Sequence, residues 1–126
     1  MGFFQKVKGK LASLAFGQKA EKLAQKHLRG NGYKIIDANY RCRDGEIDLI
    51  ARHGVYLVFC EVKARRNRAY GTALEGVTPS KIRKIKKAAE HYLLKKNLTG
   101  IDCRFDIVTI DESPAGTKVE LIKNAF

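Results

Sequence analysis

Cysteine is scarce in this 126-residue chain, and Cys42, Cys60 and Cys103 form an odd set without C-x-x-C spacing. A disulfide scaffold and a zinc finger are both poor readings of that pattern, so a reduced, cytoplasmic setting is the default. Long apolar runs are missing as well. No uninterrupted stretch approaches the ~20 residues of a membrane-spanning helix, and a membrane partner is not expected. Near the N-terminus the longest uncharged stretch, Leu11 to Gln18, is short for a secretion signal and meets Lys19 at once. Gly2 opens a myristoylation pattern that Lys6 breaks. Internal repeats and low-complexity segments are absent. Acid is in short supply too: 13 Asp+Glu stand against 25 Lys+Arg, for a net charge of +12. Such an excess favours a polyanionic partner, nucleic acid ahead of an acidic membrane.

What is present suffices for one domain spanning residues 1–126, with residues 1–13 a loosely ordered basic segment. At 44% hydrophobic and 30% charged, the chain can fold around a core. The charge is uneven. Residues 1–30 hold seven Lys/Arg and only Glu21 as acid, whereas residues 36–62 hold three Arg against Asp37, Asp44, Glu46, Asp48 and Glu61. Residues 63–96 then carry eleven Lys/Arg against Glu75 and Glu90. An acidic centre lies between basic flanks.

Ala20, Leu23, Ala24, His27 and Leu28 fall on one face of a helix over Gly17–Arg29, stopped by Gly30 and Gly32. Strands are expected at Tyr33–Ala38, Gly45–Ala51 and Val55–Val62, then a loop over residues 64–78. Thr78-Pro79 is a helix start, and Ile82, Ile85, Ala89, Tyr92 and Leu93 carry its stripe to about Leu94. Arg104–Ile110 and Val119–Ile122 close the pattern as strands around a turn at residues 112–116. The order α-β-β-β-α-β-β predicts an α/β fold with a mixed five-stranded sheet.

The acidic centre falls on the second and third strands. A two-residue loop, His53-Gly54, pairs residues whose numbers sum to 107, setting Glu46 opposite Glu61 and Asp48 opposite Phe59. Glu46, Asp48, Glu61 and Lys63 then share one face, while Ile47, Leu49, Ala51, Tyr56, Val58, Cys60 and Val62 form an apolar one. A three-residue loop would drive charges into that apolar face, so burial selects the even loop. Three carboxylates on one face repel and need neutralising, by Lys63, by arginines or by a divalent cation. Hard oxygen donors in this number suit Mg²⁺ or Mn²⁺, which can activate water and stabilise charge on a phosphodiester. The bland alternative is a solvated polar face with Lys63 as an ordinary ion-pair partner. Basic surroundings favour the metal site, since phosphate-seeking lysines beside metal-seeking acids fit one substrate.

The run Gly45-Glu46-Ile47-Asp48-Leu49-Ile50, followed by Phe59-Cys60-Glu61-Val62-Lys63, resembles the PD-(D/E)XK nuclease signature. Over residues 14–122 the chain resembles the YraN-like family of small uncharacterised bacterial proteins, through Gly17, Glu21, Ala24 and Leu28, Gly32-Tyr33, Arg41, these two blocks, Tyr70-Gly71, Lys81 and Arg104-Phe105-Asp106. That family is similar to archaeal Holliday-junction resolvases. The resemblance implies a restriction-endonuclease-like three-layer α/β domain. It further implies Asp48, Glu61 and the Val62 carbonyl as metal ligands, Lys63 as catalytic lysine, Glu21 as an acid near the metal and Glu46 as accessory. One departure is Ile47, which stands where the motif has proline.

Lys81, Arg83, Lys84, Lys86, Lys87, Lys95 and Lys96 load the second helix, and phosphate contact is favoured over a merely solvated face, with Lys81, Lys84 and Lys87 foremost. Arg65, Arg66 and Arg68 follow Lys63 and could hold a backbone beside the metal. No element presents itself for base readout. The leading expectation is a Mg²⁺-dependent endonuclease acting on DNA in preference to RNA, branched or structured, without a small-molecule cofactor. Symmetric cutting of two strands would need two sites, hence a homodimer. The rivals are a non-catalytic nucleic-acid-binding module that keeps the fold, and a protein docking on an RNA assembly.

Overall fold

A computed structural model describes residues 3–66 and 71–126, with side chains from Leu14 onward. The elements run α1 (Phe3–Gly30), β1 (Lys34–Cys42), β2 (Gly45–His53), β3 (Tyr56–Arg65), α2 (Pro79–Lys95), β4 (Cys103–Ser113) and β5 (Gly116–Ile122), with a 3-10 turn at Leu74–Gly76. This is the α-β-β-β-α-β-β order expected. The strands form one sheet in the order β1-β2-β3-β4-β5, antiparallel except for the parallel pair β3 and β4. The parallel pair is the one whose strands are separated by α2, because a crossover helix returns the chain to the same end of the sheet.

The two helices cover opposite faces and make three layers. Ala20, Ala24 and Leu28 of α1 pack on Leu49, Ala51, Val58, Cys60, Val108 and Ile110. Ile85, Ala88, Ala89 and Tyr92 of α2 pack on Tyr40, Ile47, Ile50, Leu57 and Phe59. Covered on both faces, β3 is apolar without alternation from Leu57 to Cys60, as a central strand between two helical layers must be. The start of α2 follows its sequence signal: the Thr78 hydroxyl accepts from the Lys81 N–H at 3.2 Å, and Pro79 occupies the first helical position. At the end of α1, Gly32 takes φ +85°, and the Tyr33 N–H turns back to the Leu28 carbonyl at 3.0 Å.

Several boundaries differ from expectation. Helix α1 begins at Phe3 rather than Gly17, because residues 3–16 hold no proline and are rich in Lys, Leu, Ala and Gln, all good helix formers. The packing of residues 1–13, expected to be loose, lies outside the described side chains, as do Arg68 and Tyr70 with the whole of residues 67–70. Strand β3 continues to Arg65 by pairing Lys63, Ala64 and Arg65 with Thr109, Ile110 and Asp111, so three residues assigned to sheet edge and loop are held in the sheet. The β4–β5 hairpin is tighter than expected and closes across Ser113 and Gly116.

The β2–β3 register is corrected. His53 pairs with Tyr56 and Leu49 with Cys60, so paired numbers sum to 109 and the turn is Gly54-Val55. Gly54 has φ +59°, the left-handed conformation that two-residue hairpin turns require, which is why the turn forms there and not one residue earlier. The loop stays even, so the polar set keeps one face. Extending the register brings Asp48, not Glu46, opposite Glu61.

The face pattern is corrected too. Tyr40 and Ile47, paired across β1 and β2, join the α2 layer, whereas their neighbours Ala38 and Leu49, also paired, join the α1 layer. Between them lie Asn39, with φ +55°, and Asp48. Asparagine tolerates this conformation, and the ribbon turns over at that point, carrying Ile47 off the face expected for it. Tyr56, placed on that same apolar face, is 39% exposed.

At the other end of the sheet a polar network is centred on the fully buried Asp106. Arg104 donates from Nε and Nη2 to the two Asp106 oxygens at 2.9 and 2.8 Å, and the Tyr33 hydroxyl donates to Oδ2 at 2.6 Å. The Asn124 N–H adds a bond to Oδ1 at 3.0 Å. Burial alone would raise the Asp106 pKa; these donors outweigh it and hold the carboxyl below its ordinary value of 3.8. Its contribution is therefore present above that value and lost as pH falls through the folded one. Asp106→Ala should lose about 3–5 kcal/mol of unfolding free energy in urea at pH 7, since it strands a largely buried Arg104. The deficit should shrink on acidification, and a loss under 1 kcal/mol at pH 7 would contradict this role.

Candidate functional site

The carboxylates gather where β2 and β3 stop pairing. Beyond Leu49 and Cys60 the regular ladder ends, and the Asp48 Oδ2 atom accepts the Val62 N–H at 2.8 Å. Glu61, the next residue back on β3, is 5% exposed. Both line a groove of about 390 Å³ with Glu46, Val62, Lys63, Lys81 and Lys84, closed on one side by Gly76, Val77 and Thr78. Glu61 is thus buried beneath α2, while the Glu46 side chain remains 47% exposed.

Two glycines make this covering possible. A Cβ at Gly45 would lie 2.9 Å from the Lys84 carbonyl oxygen, so only glycine there lets α2 settle against the start of β2. A Cβ at Gly76 would lie 2.6 Å from the Lys63 Cε and 2.7 Å from the Arg65 Nη2. The 3-10 turn thus runs close to the Lys63 stem and the Arg65 head, with no room for a side chain at Gly76 unless they shift.

Charge in the groove is organised around Lys81. Its Nζ lies 3.7 Å from Glu61 Oε2 and 4.0 Å from Glu46 Oε1, while the Arg41 Nε approaches Glu46 Oε2 at 3.3 Å. Expected as a phosphate contact, Lys81 sits in the first turn of α2 facing the carboxylates. Even so, Glu61 Oε2 is buried and has no hydrogen bond among the described residues. Its pKa is pushed well up, first by burial and then by the adjoining Asp48, with Lys81 and Lys63 pulling it partly back. A buried carboxylate that lacks a donor and lies beside a second carboxylate has the chemistry of a cation ligand.

Among the described residues no three Asp, Glu, His or Cys side chains close on one point. Asp48, Glu61 and the Val62 carbonyl, the donors that the resemblance implies, would suit Mg²⁺, an ion that keeps several waters and takes one or two protein carboxylates plus substrate phosphate.

The remaining expected residues are distributed around this centre. Glu21 lines a second groove, of about 540 Å³, on the α1 side, which also touches Asp48, Val62 and Lys63. Its Oε1 accepts from the Asn39 amide at 3.0 Å. Arg65 points to the α2 side against Gly76, and Arg66 to the α1 side, its guanidinium 4.1 Å from the Phe16 ring centroid. Lys84 lines the first groove, while Lys87 is exposed farther along α2 and lines neither. The carboxylate-facing role of Lys81 was missed, though its place three residues after the Thr78 cap put it in the first turn. Phe16, Asn39 and Gly76 carried no sequence signal.

The folded Glu61 pKa exceeds its ordinary 4.5, so stability falls as pH rises from that value towards the folded one. Glu61→Gln should therefore melt a few degrees above the wild type at pH 7.5 in EDTA, from removal of a penalty of roughly 1–3 kcal/mol. The gap should close as pH approaches 4.5; a destabilised variant at pH 7.5 would contradict this electrostatic picture.

Comparison with known proteins gives the lineage. A profile of the uncharacterised protein family UPF0102 matches residues 20–110. A UPF0102 protein of Syntrophus aciditrophicus is 45% identical over 114 residues, covering 90% of each chain. One from Hahella chejuensis is 43% identical over 116 residues, 92% of this chain and 93% of its own. A third, from Geobacter sulfurreducens, is 46% identical over 111 residues, 87% of each. Bearing the helix, strand and Glu-x-Lys features that suggested it, the chain belongs to the uncharacterised family UPF0102, the YraN-like proteins.

Proposed function

We propose that this protein is a Mg²⁺- or Mn²⁺-dependent endonuclease that hydrolyses phosphodiester bonds in DNA, branched or structured, in the cytoplasm. The observation that carries this reading is Glu61, buried beside Asp48 with a carboxylate oxygen that has no hydrogen bond among the described residues, in a groove walled by lysines. The three-layer arrangement agrees with what resemblance to PD-(D/E)XK nucleases implies. No helix among the described residues is long and apolar enough to cross a membrane.

Asp48, Glu61 and the Val62 carbonyl would hold the ion, with Glu46 accessory and Glu21 approaching from the α1 side. A bound Mg²⁺ would neutralise phosphate charge and lower the pKa of water. Lys63, which lines the same groove, would donate a hydrogen bond from Nζ to the attacking water or to a phosphate oxygen. Lys84 lies on the same wall to orient the backbone, with Lys87 outside it. Lys81 neutralises Glu46 and Glu61 until a cation takes over that role. Two copies would be needed to cut both strands symmetrically, which makes a homodimer the form to test.

A second reading has one observation in its favour. Because Lys81 already bridges Glu46 and Glu61, the cluster is neutralised in part without a metal, as a non-catalytic nucleic-acid-binding module would need.

The deciding experiment is cleavage of a labelled four-way junction and a matched duplex in Mg²⁺, Mn²⁺ or EDTA. Asp48→Asn keeps an oxygen to accept the Val62 N–H and should lose at least about 100-fold in rate. Binding without cutting, indifferent to metal and to this substitution, would leave the binding module. In EDTA, Lys84→Ala with Lys87→Ala should lower the log–log salt slope of DNA binding by roughly 0.9 per lysine; an unchanged slope would remove α2 from the interface.

A further inference from the structure

The two grooves that meet at Asp48 and Lys63 differ in chemistry. The α2-side groove is polar and lysine-rich, suited to a sugar–phosphate backbone. The α1-side groove, about 540 Å³, has apolar walls at Leu14, Phe16 and Ala64 and hydrogen-bonding groups at Gln18, Asn39 and Arg41. Its volume lies within the range of ligand pockets. Phe16 is half-buried, with the Arg66 guanidinium stacked over its ring. Aromatic and guanidinium planes receive nucleobase faces, and amide side chains receive nucleobase edges.

We propose that the α1-side groove holds an unpaired nucleobase adjoining the phosphate at Asp48 and Lys63, so that the preferred substrate carries an unpaired nucleotide there. The inference rests on the nucleic-acid reading above and deepens it. A paired base is stacked on both faces and cannot enter, whereas a base in a single strand, flap or distorted branch can. Shared walls are the structural reason for one occupant: Asp48, Val62 and Lys63 line both grooves, so a backbone lying by Lys81 and Lys84 can deliver its next base past Asp48. Arg41 and Lys63, which line this groove beside Glu21 and Asp48, supply positive charge for the adjoining phosphate.

The test is fluorescence anisotropy in EDTA, where no chemistry occurs, with a labelled oligothymidylate and an abasic deoxyribose-phosphate strand of equal length. Both carry the same backbone charge. Wild-type protein should bind the thymidylate strand roughly tenfold more tightly. Phe16→Leu, which retains apolar bulk, should lose that preference while keeping its affinity for the abasic strand, and Phe16→Tyr should retain the preference. Equal binding of the two strands by wild type, or an unchanged preference in Phe16→Leu, would overturn the proposal. So would a shift in oligomeric state by light scattering without a change in base preference, which would assign the groove to a second copy of the chain. Failure of the nuclease reading is distinguishable: absent cleavage leaves the base preference intact, and cleavage without base preference sinks only this inference.

Discussion

Holding the Glu61 carboxylate out of water beside Asp48 is the constraint around which the rest of the molecule is arranged. Burial costs an ionised carboxylate several kcal/mol unless donors or cations compensate, and a second carboxylate adds to the cost. The fold answers with a lysine from the first turn of α2, 3.7 Å away, and one oxygen has no hydrogen bond among the described residues. Its neighbour Cys60, by contrast, is an apolar core residue against α1. A buried carboxylate so placed is the physical ground, independent of any motif, on which the proposed site rests.

That site needs the backbone to depart from a regular sheet. The left-handed Asn39 on β1 and the unpaired step at Asp48 on β2 turn the ribbon over, so Asp48 faces grooves in both helical layers. A flat sheet would have confined Asp48 to one of them. Gly45 and Gly76 complete the geometry from the α2 side, one by admitting the helix backbone, the other by leaving room for Lys63 and Arg65. The Arg104–Asp106–Tyr33 network anchors the far end of the sheet.

Much of this was legible in the chain. Apolar periodicity located both helical faces, the Thr78-Pro79 cap fixed the start of α2, and parity placed Glu46, Asp48, Glu61 and Lys63 on one wall. The partner of Glu61 was not legible, because the position of a two-residue turn depends on where a glycine adopts positive φ, and Gly54 lies next to His53 in either choice. The exchange of Ile47 and Leu49 between layers was hidden for a related reason: strict alternation assumes a regular ribbon, and Asn39 breaks it. The role of Lys81 depends on the approach of α2 to Gly45, a tertiary contact without a local signature.

The most direct test of the central claim, that Asp48 and Glu61 form a divalent-cation site, is a crystal structure of the protein equilibrated with Mn²⁺ and measured at the manganese edge. The account predicts an anomalous peak ligated by Asp48, Glu61 and the Val62 carbonyl, with Lys81 withdrawn from Glu61. Saturating Mn²⁺ with no peak there, and Lys81 still seated between Glu46 and Glu61, would contradict it.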